Sequence, residues 1–265
     1  TLTGFVHSQI GNDEAARMAY HRALHSSDRE ELAEACARLG YHYVAREAYI
    51  EALPYLRAAL QLAPGDDIPH QYWYHYGFAL CRLGRPGDAL APLARAAAAP
   101  DDCAGPHDPR YLLGVASYDA GCLKQAESWL AQCLESDCER MPRDVAQRVL
   151  ASALMDQGRC SEALRRLQDI GRSGQDTNPA RTGALMVRAL RLAGRPHVAA
   201  QMAKRQARRD RPSTFAVTEH MLARRDLGDL NEARALAQSI LARNDIPAWY
   251  RDQAAQVMCE TGTSN

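Results

Sequence analysis

Eight cysteines and nine histidines are the residues of this 265-residue chain with the most chemical potential. Cys103 and His107 stand in a C-x3-H spacing and Cys133 and Cys138 in a C-x4-C spacing, a set that can hold zinc when a fold brings it together. Cys103 and Cys138 could alternatively close a disulfide, which would imply an oxidising compartment. Cys36, Cys81 and Cys133, however, occur where small buried residues belong, and unpaired core thiols are the simplest reading, with no metal and no cofactor expected. His42, His75 and His220 read as packing or surface residues. The sequence contains no H-E-x-x-H, no G-x-S-x-G and no G-x-x-x-x-G-K-[ST] motif. The expectation is a protein that is not an enzyme.

Binding is what remains, and the charge pattern constrains it. The 32 basic and 32 acidic residues cancel, yet residues 1–140 carry 12 and 19 of them while residues 141–265 carry 20 and 13. A chain of zero net charge lacks the basicity of a nucleic-acid binder. No run of eighteen apolar residues occurs, so direct membrane insertion is excluded. Only Lys124 and Lys204 are lysines, and the Arg- and Ala-rich composition is that of a bacterial chain. Thr1 is not preceded by an initiator and no signal core follows it, which reads as a fragment or a processed product. A cytoplasmic location is expected, with the periplasm as the alternative.

The elements that must position these residues are helices. The chain holds 47 alanines against 17 aromatics, and β-branched residues are sparse. Gly40, Gly77, Gly114 and Ala151 recur every 37 residues, followed by Val187 and Met221. Behind each lies a spaced Ala, Leu, Ala pattern, such as Ala52, Leu56, Ala59 or Ala89, Leu93, Ala96. Gly84, Gly121, Gly158, Gly194 and Gly228 mark a turn at a constant offset. The unit is therefore helix–turn–helix. Helices approach closely only where crossing residues are small, so Gly40 is expected to face Ala52 and Ala59, with Leu39, Tyr43 and Leu56 filling the wedge to the neighbouring unit.

The pattern Trp73, Tyr76, Gly77, Leu80, Gly84, Ala89, Leu93, Ala96 and Pro100 resembles the tetratricopeptide repeat. The resemblance covers nearly the whole chain and implies an all-α, right-handed superhelical solenoid of antiparallel helix pairs as a single domain over 1–265. A truncated repeat spans 1–32, with Gly11, Ala16, Tyr20 and Ala23 in its pattern. Full repeats begin near 33, 70, 107, 144, 180 and 214, and a capping helix over 247–260 bears Trp249, Tyr250, Ala254 and Val257. Repeats five and six depart from the pattern, with Met186-Val187 and His220-Met221 in place of Leu-Gly.

The resemblance further implies a non-catalytic scaffold or adaptor whose first helices line a concave groove for a peptide or protein partner. By repeat position that face would display Phe5, Tyr41, Tyr74, Phe78, Tyr111 and Tyr118, then Arg148, Arg181, Arg188, Arg191 and Arg225. Tyr43, Tyr76 and Trp73 are assigned to the core. Repulsion between Arg188 and Arg191 and their neighbours must be offset by something anionic, either Asp156 and Asp226 or an acidic partner segment. Arg208, Arg209 and Arg211 read as an outward, solvated face. The carboxylate clamp known in this family uses asparagines, and no Asn falls on the inner face. Two alternatives stand beside the adaptor: a periplasmic scaffold of a polysaccharide-export or outer-membrane system, and the regulatory arm of a larger enzyme or regulator.

Overall fold

The computed structural model describes residues 3–4, 7, 12–63, 68–103, 105–136, 140–207 and 213–262. Phe5, Gly11, Cys138, Arg208, Arg209 and Arg211 lie outside them. Among the described residues the structure is helical, with no strand. The chain divides into two compact units, Thr1–Pro142 and Arg143–Asn265.

In the first unit, α1 (Asp13–Ala23) leans on α2 (Arg29–Ala45), and three pairs follow: α2 with α3 (Tyr49–Leu62), α4 (His70–Arg82) with α5 (Pro86–Ala97), and α6 (Pro109–Asp119) with α7 (Leu123–Glu135). Each second helix also packs on the next first helix, α3 on α4 and α5 on α6. The second unit repeats the scheme with α8 (Arg143–Asp156) and α9 (Cys160–Ser173), α10 (Pro179–Leu192) and α11 (Pro196–Ala207), α12 (Thr214–Asp226) and α13 (Leu230–Leu241). There α14 (Ala248–Gly262) closes the end against α13 and α12. Ala254 and Val257 of α14 are fully buried, whereas Trp249 is 51 % exposed and packs edge-on against Tyr250.

The helices begin and end where local chemistry allows. Asp28, Asp108, Asn178 and Ser213 cap first helices, each accepting a hydrogen bond from a backbone N–H of the first turn. Within each pair the turn is a Schellman motif: the residue after the turn donates its N–H to a carbonyl five residues back, as Arg85 to Leu80, Cys122 to Ser117 and Asp229 to Arg224. That motif needs a residue with positive φ, supplied by Gly84, Gly121, Gly158, Gly194 and Gly228 at +70 to +79°. In the first full pair the place belongs to Glu47, held at φ 59°.

Inside the pairs the small residue lies nearest a leucine of the second helix. A Cβ added to Gly40 would lie 2.5 Å from the Leu56 side chain, and one on Gly77 or Gly114 would lie 2.7 Å from Leu93 or Leu130. Where the expectation set Gly40 against Ala52 and Ala59, its nearest neighbour across the pair is Leu56. The crossing point sets glycine against the leucine sixteen residues on, and the flanking alanines let the backbones close around it. In the last two pairs the sizes are exchanged. Val187 packs in one buried cluster with Ala203, and Met221 in another with Ala237. Tyr43, Trp73 and Tyr76 are half-buried rather than core, with the Tyr43 ring stacked on Tyr55 at 5.5 Å.

Candidate functional site

In the first unit the first helices α2, α4 and α6 bring rings together in sequence. Tyr41 lies 4.1 Å from His75, His75 meets Tyr74 edge-on at 5.1 Å, and Tyr74 stacks on Phe78 at 6.2 Å. His107 continues the run, 6.5 Å from Phe78 and 5.6 Å from Tyr111. The rings differ in what they offer a partner. Tyr74, expected on the open face, is completely buried: its hydroxyl accepts the His107 backbone N–H at 3.3 Å, and its ring packs where a Cβ on Gly105 would collide. Burial pushes its phenol up to about 12. Tyr111 is buried as well, while Tyr41, Phe78 and Tyr118 stay half-exposed. Beside Phe78, the exposed Arg82 sits 5.4 Å over the Tyr49 ring and donates to its hydroxyl at 3.1 Å.

In the second unit the five arginines resolve into three arrangements. Arg148 is buried, not displayed; it pairs with Asp144 at 3.0 Å and Asp176 at 2.9 Å and donates to Thr182 and Thr177. Asp144 in turn accepts the Thr177 amide at 2.9 Å and the Thr177 hydroxyl, so this network pins the segment before α10 onto α8. Burial alone would raise the Asp144 carboxyl, but the Thr177 hydrogen bonds and the Arg148 charge prevail and hold it below the usual range.

Arg188 pairs with Asp156 at 2.8 Å, and Arg191 bridges Glu219 and Asp226, each at 3.3 Å. Arg225 pairs with Asp226 at 2.9 Å. Glu219 was not anticipated. It sits buried in α12, and burial, opposed by Arg191 and Arg188, raises its carboxyl above the usual range. Arg181 is the third case. Its guanidinium lies 4.2 Å over the Phe215 ring, it is exposed, and it makes no ion pair among the described residues.

The described thiols form no metal centre. Cys36, Cys81, Cys103, Cys122, Cys160 and Cys259 are free, and among the described residues no group of three or more His, Cys, Asp or Glu is placed to hold a metal. Cys103 donates to the Ala96 and Ala99 carbonyls, Cys133 contacts the Met141 sulfur at 3.0 Å, and His107 joins the aromatic run instead. Burial, partly opposed by Arg140, pushes the Cys103 thiol up to about 11, which leaves it a poor nucleophile. No helix among the described residues is long and apolar enough to cross a membrane.

No protein-family model matches the sequence, and no curated protein matches it at the sequence level. Solved structures do resemble it. A tetratricopeptide repeat protein from Parabacteroides merdae superposes with a TM-score of 0.62 at 12 % identity over 96 % of both chains. The apo form of the quorum sensor NprR from B. thuringiensis gives 0.69 at 15 % identity over 97 % of this chain and 77 % of that one, and NprR is also solved with its cognate peptide NprX. YrrB, a tetratricopeptide repeat protein with an unusual peptide-binding site, gives 0.54 at 21 % identity over 76 % of this chain and 88 % of that one. The fold is that of the tetratricopeptide repeat proteins.

Proposed function

We propose that the chain is a non-catalytic scaffold that holds a peptide segment of a partner protein against its first helices. One observation carries this most directly: Arg181 presents an exposed guanidinium, pre-set on the face of Phe215 and committed to no carboxylate among the described residues. A guanidinium held flat on a ring keeps its fork of donors in one orientation, ready for a carboxylate or a peptide carbonyl. In the first unit Phe78 and Tyr118 on α4 and α6 supply half-exposed rings of the kind that anchor interfaces, with Arg82 held on the Tyr49 ring that packs against Phe78. Peptide binding by NprR and YrrB, which share the fold, supports the same reading.

The expected preference for an acidic partner narrows to one carboxylate at Arg181. Arg148, Arg188, Arg191 and Arg225 already face Asp144, Asp176, Asp156, Glu219 and Asp226, so an acidic stretch would have to displace internal partners. Affinity capture tests the reading with the intact chain, with an Arg181→Ala/Phe78→Ala variant and with an Ile50→Ala control on α3 run side by side. A partner retained by wild type and control should be lost at least tenfold from the double variant. Equal retention by all three would remove the first helices as the binding face.

A further inference from the structure

The second unit carries a partly open cavity of about 380 Å³ lined by α10, the end of α11 and the start of α12, together with Gly171 of α9 and Leu236 of α13. Its origin is legible in the repeat register. Four residues before the small crossing position stand Cys36, Trp73, Arg110, Gln147 and Val217 in the other pairs, and here Gly183. Where Leu56, Leu93, Leu130 and Leu167 fill the first four pairs, the fifth has Ala203. Val187 replaces part of that volume. The rest stays open.

The cavity has polar features that a mere packing defect would lack. Gln206 occupies the position of Ala59, Ala96, Cys133, Ile170 and Ile240, and its amide lies so close over Gly183 that a Cβ there would collide with it. That amide makes no hydrogen bond among the described residues. His220 lines the same space, and its Nε2 accepts from Arg224 at 3.3 Å, which leaves Nδ1 to carry the proton and donate. Burial, reinforced by the Arg224 charge, holds this imidazole below its usual pKa and hence neutral. Asp176, also at the lining, is committed to Arg148. An ionic ligand would therefore meet no uncommitted countercharge, and an unpaired charge is costly to bury.

We propose that this cavity is a binding site for a small uncharged amphiphile. Its aromatic or branched aliphatic body would lie among Met186, Met202, Val217 and Leu236, with one neutral hydrogen-bonding group turned to the Gln206 amide and His220. The volume falls within the roughly 300–1,000 Å³ of small-molecule pockets, and the two methionines can adapt to an irregular shape. The site uses different residues from the first-helix contacts and stands whether or not those bind a peptide.

Fluorescence titration of the full chain with N-phenyl-1-naphthylamine, an uncharged aromatic amine that brightens in apolar surroundings, tests it. The expected result is saturable binding of one molecule per chain. Ala216→Phe, which fills the cavity from α12, should weaken it at least tenfold. Ala180→Phe, made at an exposed position on the α10 side, should do the same and serves if the first variant melts early. Gln206→Leu keeps the shape and should weaken binding about fivefold through the lost hydrogen bond. No saturable signal, as expected of a cavity reserved for a partner's side chain, would overturn the proposal. So would wild-type affinity in the folded filling variants.

Discussion

Arg148, Arg188 and Arg191 are visible in the sequence as like charges on neighbouring helices, and Asp156 and Asp226 are visible as candidates to offset them. Glu219 is not, because a glutamate in a helical pattern reads as solvated surface; its burial arises only once α10, α13 and α14 surround α12. Tyr74 is hidden for a similar reason, since the segment carrying Gly105 folds over a ring that the repeat register places on an open face. The Asp144 network makes a pH prediction. Its carboxyl is held below the usual value, so its contribution is fully present above an unfolded-state pKa of about 3.9 and is lost as pH falls through the lower folded-state value. Asp144→Asn should cost about 1–2 kcal/mol near neutrality, with the gap from wild type closing below about pH 4. Urea unfolding at pH 7 and pH 3 measures it. A gap of the same size at both would show that the carboxylate charge does not matter.

At the scale of the helix pair, spacing shows which positions are small but not which positions touch. Every turn glycine from Gly84 to Gly228 falls where φ is positive, because the Schellman motif at that offset admits few other residues; Glu47 fills the place by strain that no pattern reveals. The glycine–leucine crossing needed coordinates, and with them the exchange at Val187 and Ala203 becomes an experiment. Gly77→Val should overpack against Leu93 by about 1–3 kcal/mol, and Leu93→Ala alone should cost about 2–5 kcal/mol for the space left behind. Together they recreate the fifth pair's arrangement, and the double variant should be more stable than the sum of the single losses by at least about 1 kcal/mol. Simple additivity in denaturant unfolding would deny that the two positions share one volume.

For the whole molecule, composition and period are enough to give an all-helical chain of repeated pairs, since alanine-rich helices with small crossing residues have few other ways to bury their apolar faces. What they leave open is the distribution of accessible chemistry. Most of the charge on the first helices of the second unit is spent internally, and in the first unit two of the expected rings, Tyr74 and Tyr111, are spent in packing. The account then rests on first-helix positions contacting a partner while second-helix positions do not. Site-specific photo-crosslinking tests that directly, with benzoylphenylalanine placed at position 78 or 181 on first helices, or at position 50 or 198 on second helices, where Ile50 is 72 % and Val198 51 % exposed. Cells producing the full protein should yield the same partner adduct from positions 78 and 181 and none from 50 and 198. An adduct formed as readily from 50 and 198, or absent from 78 and 181, would contradict it.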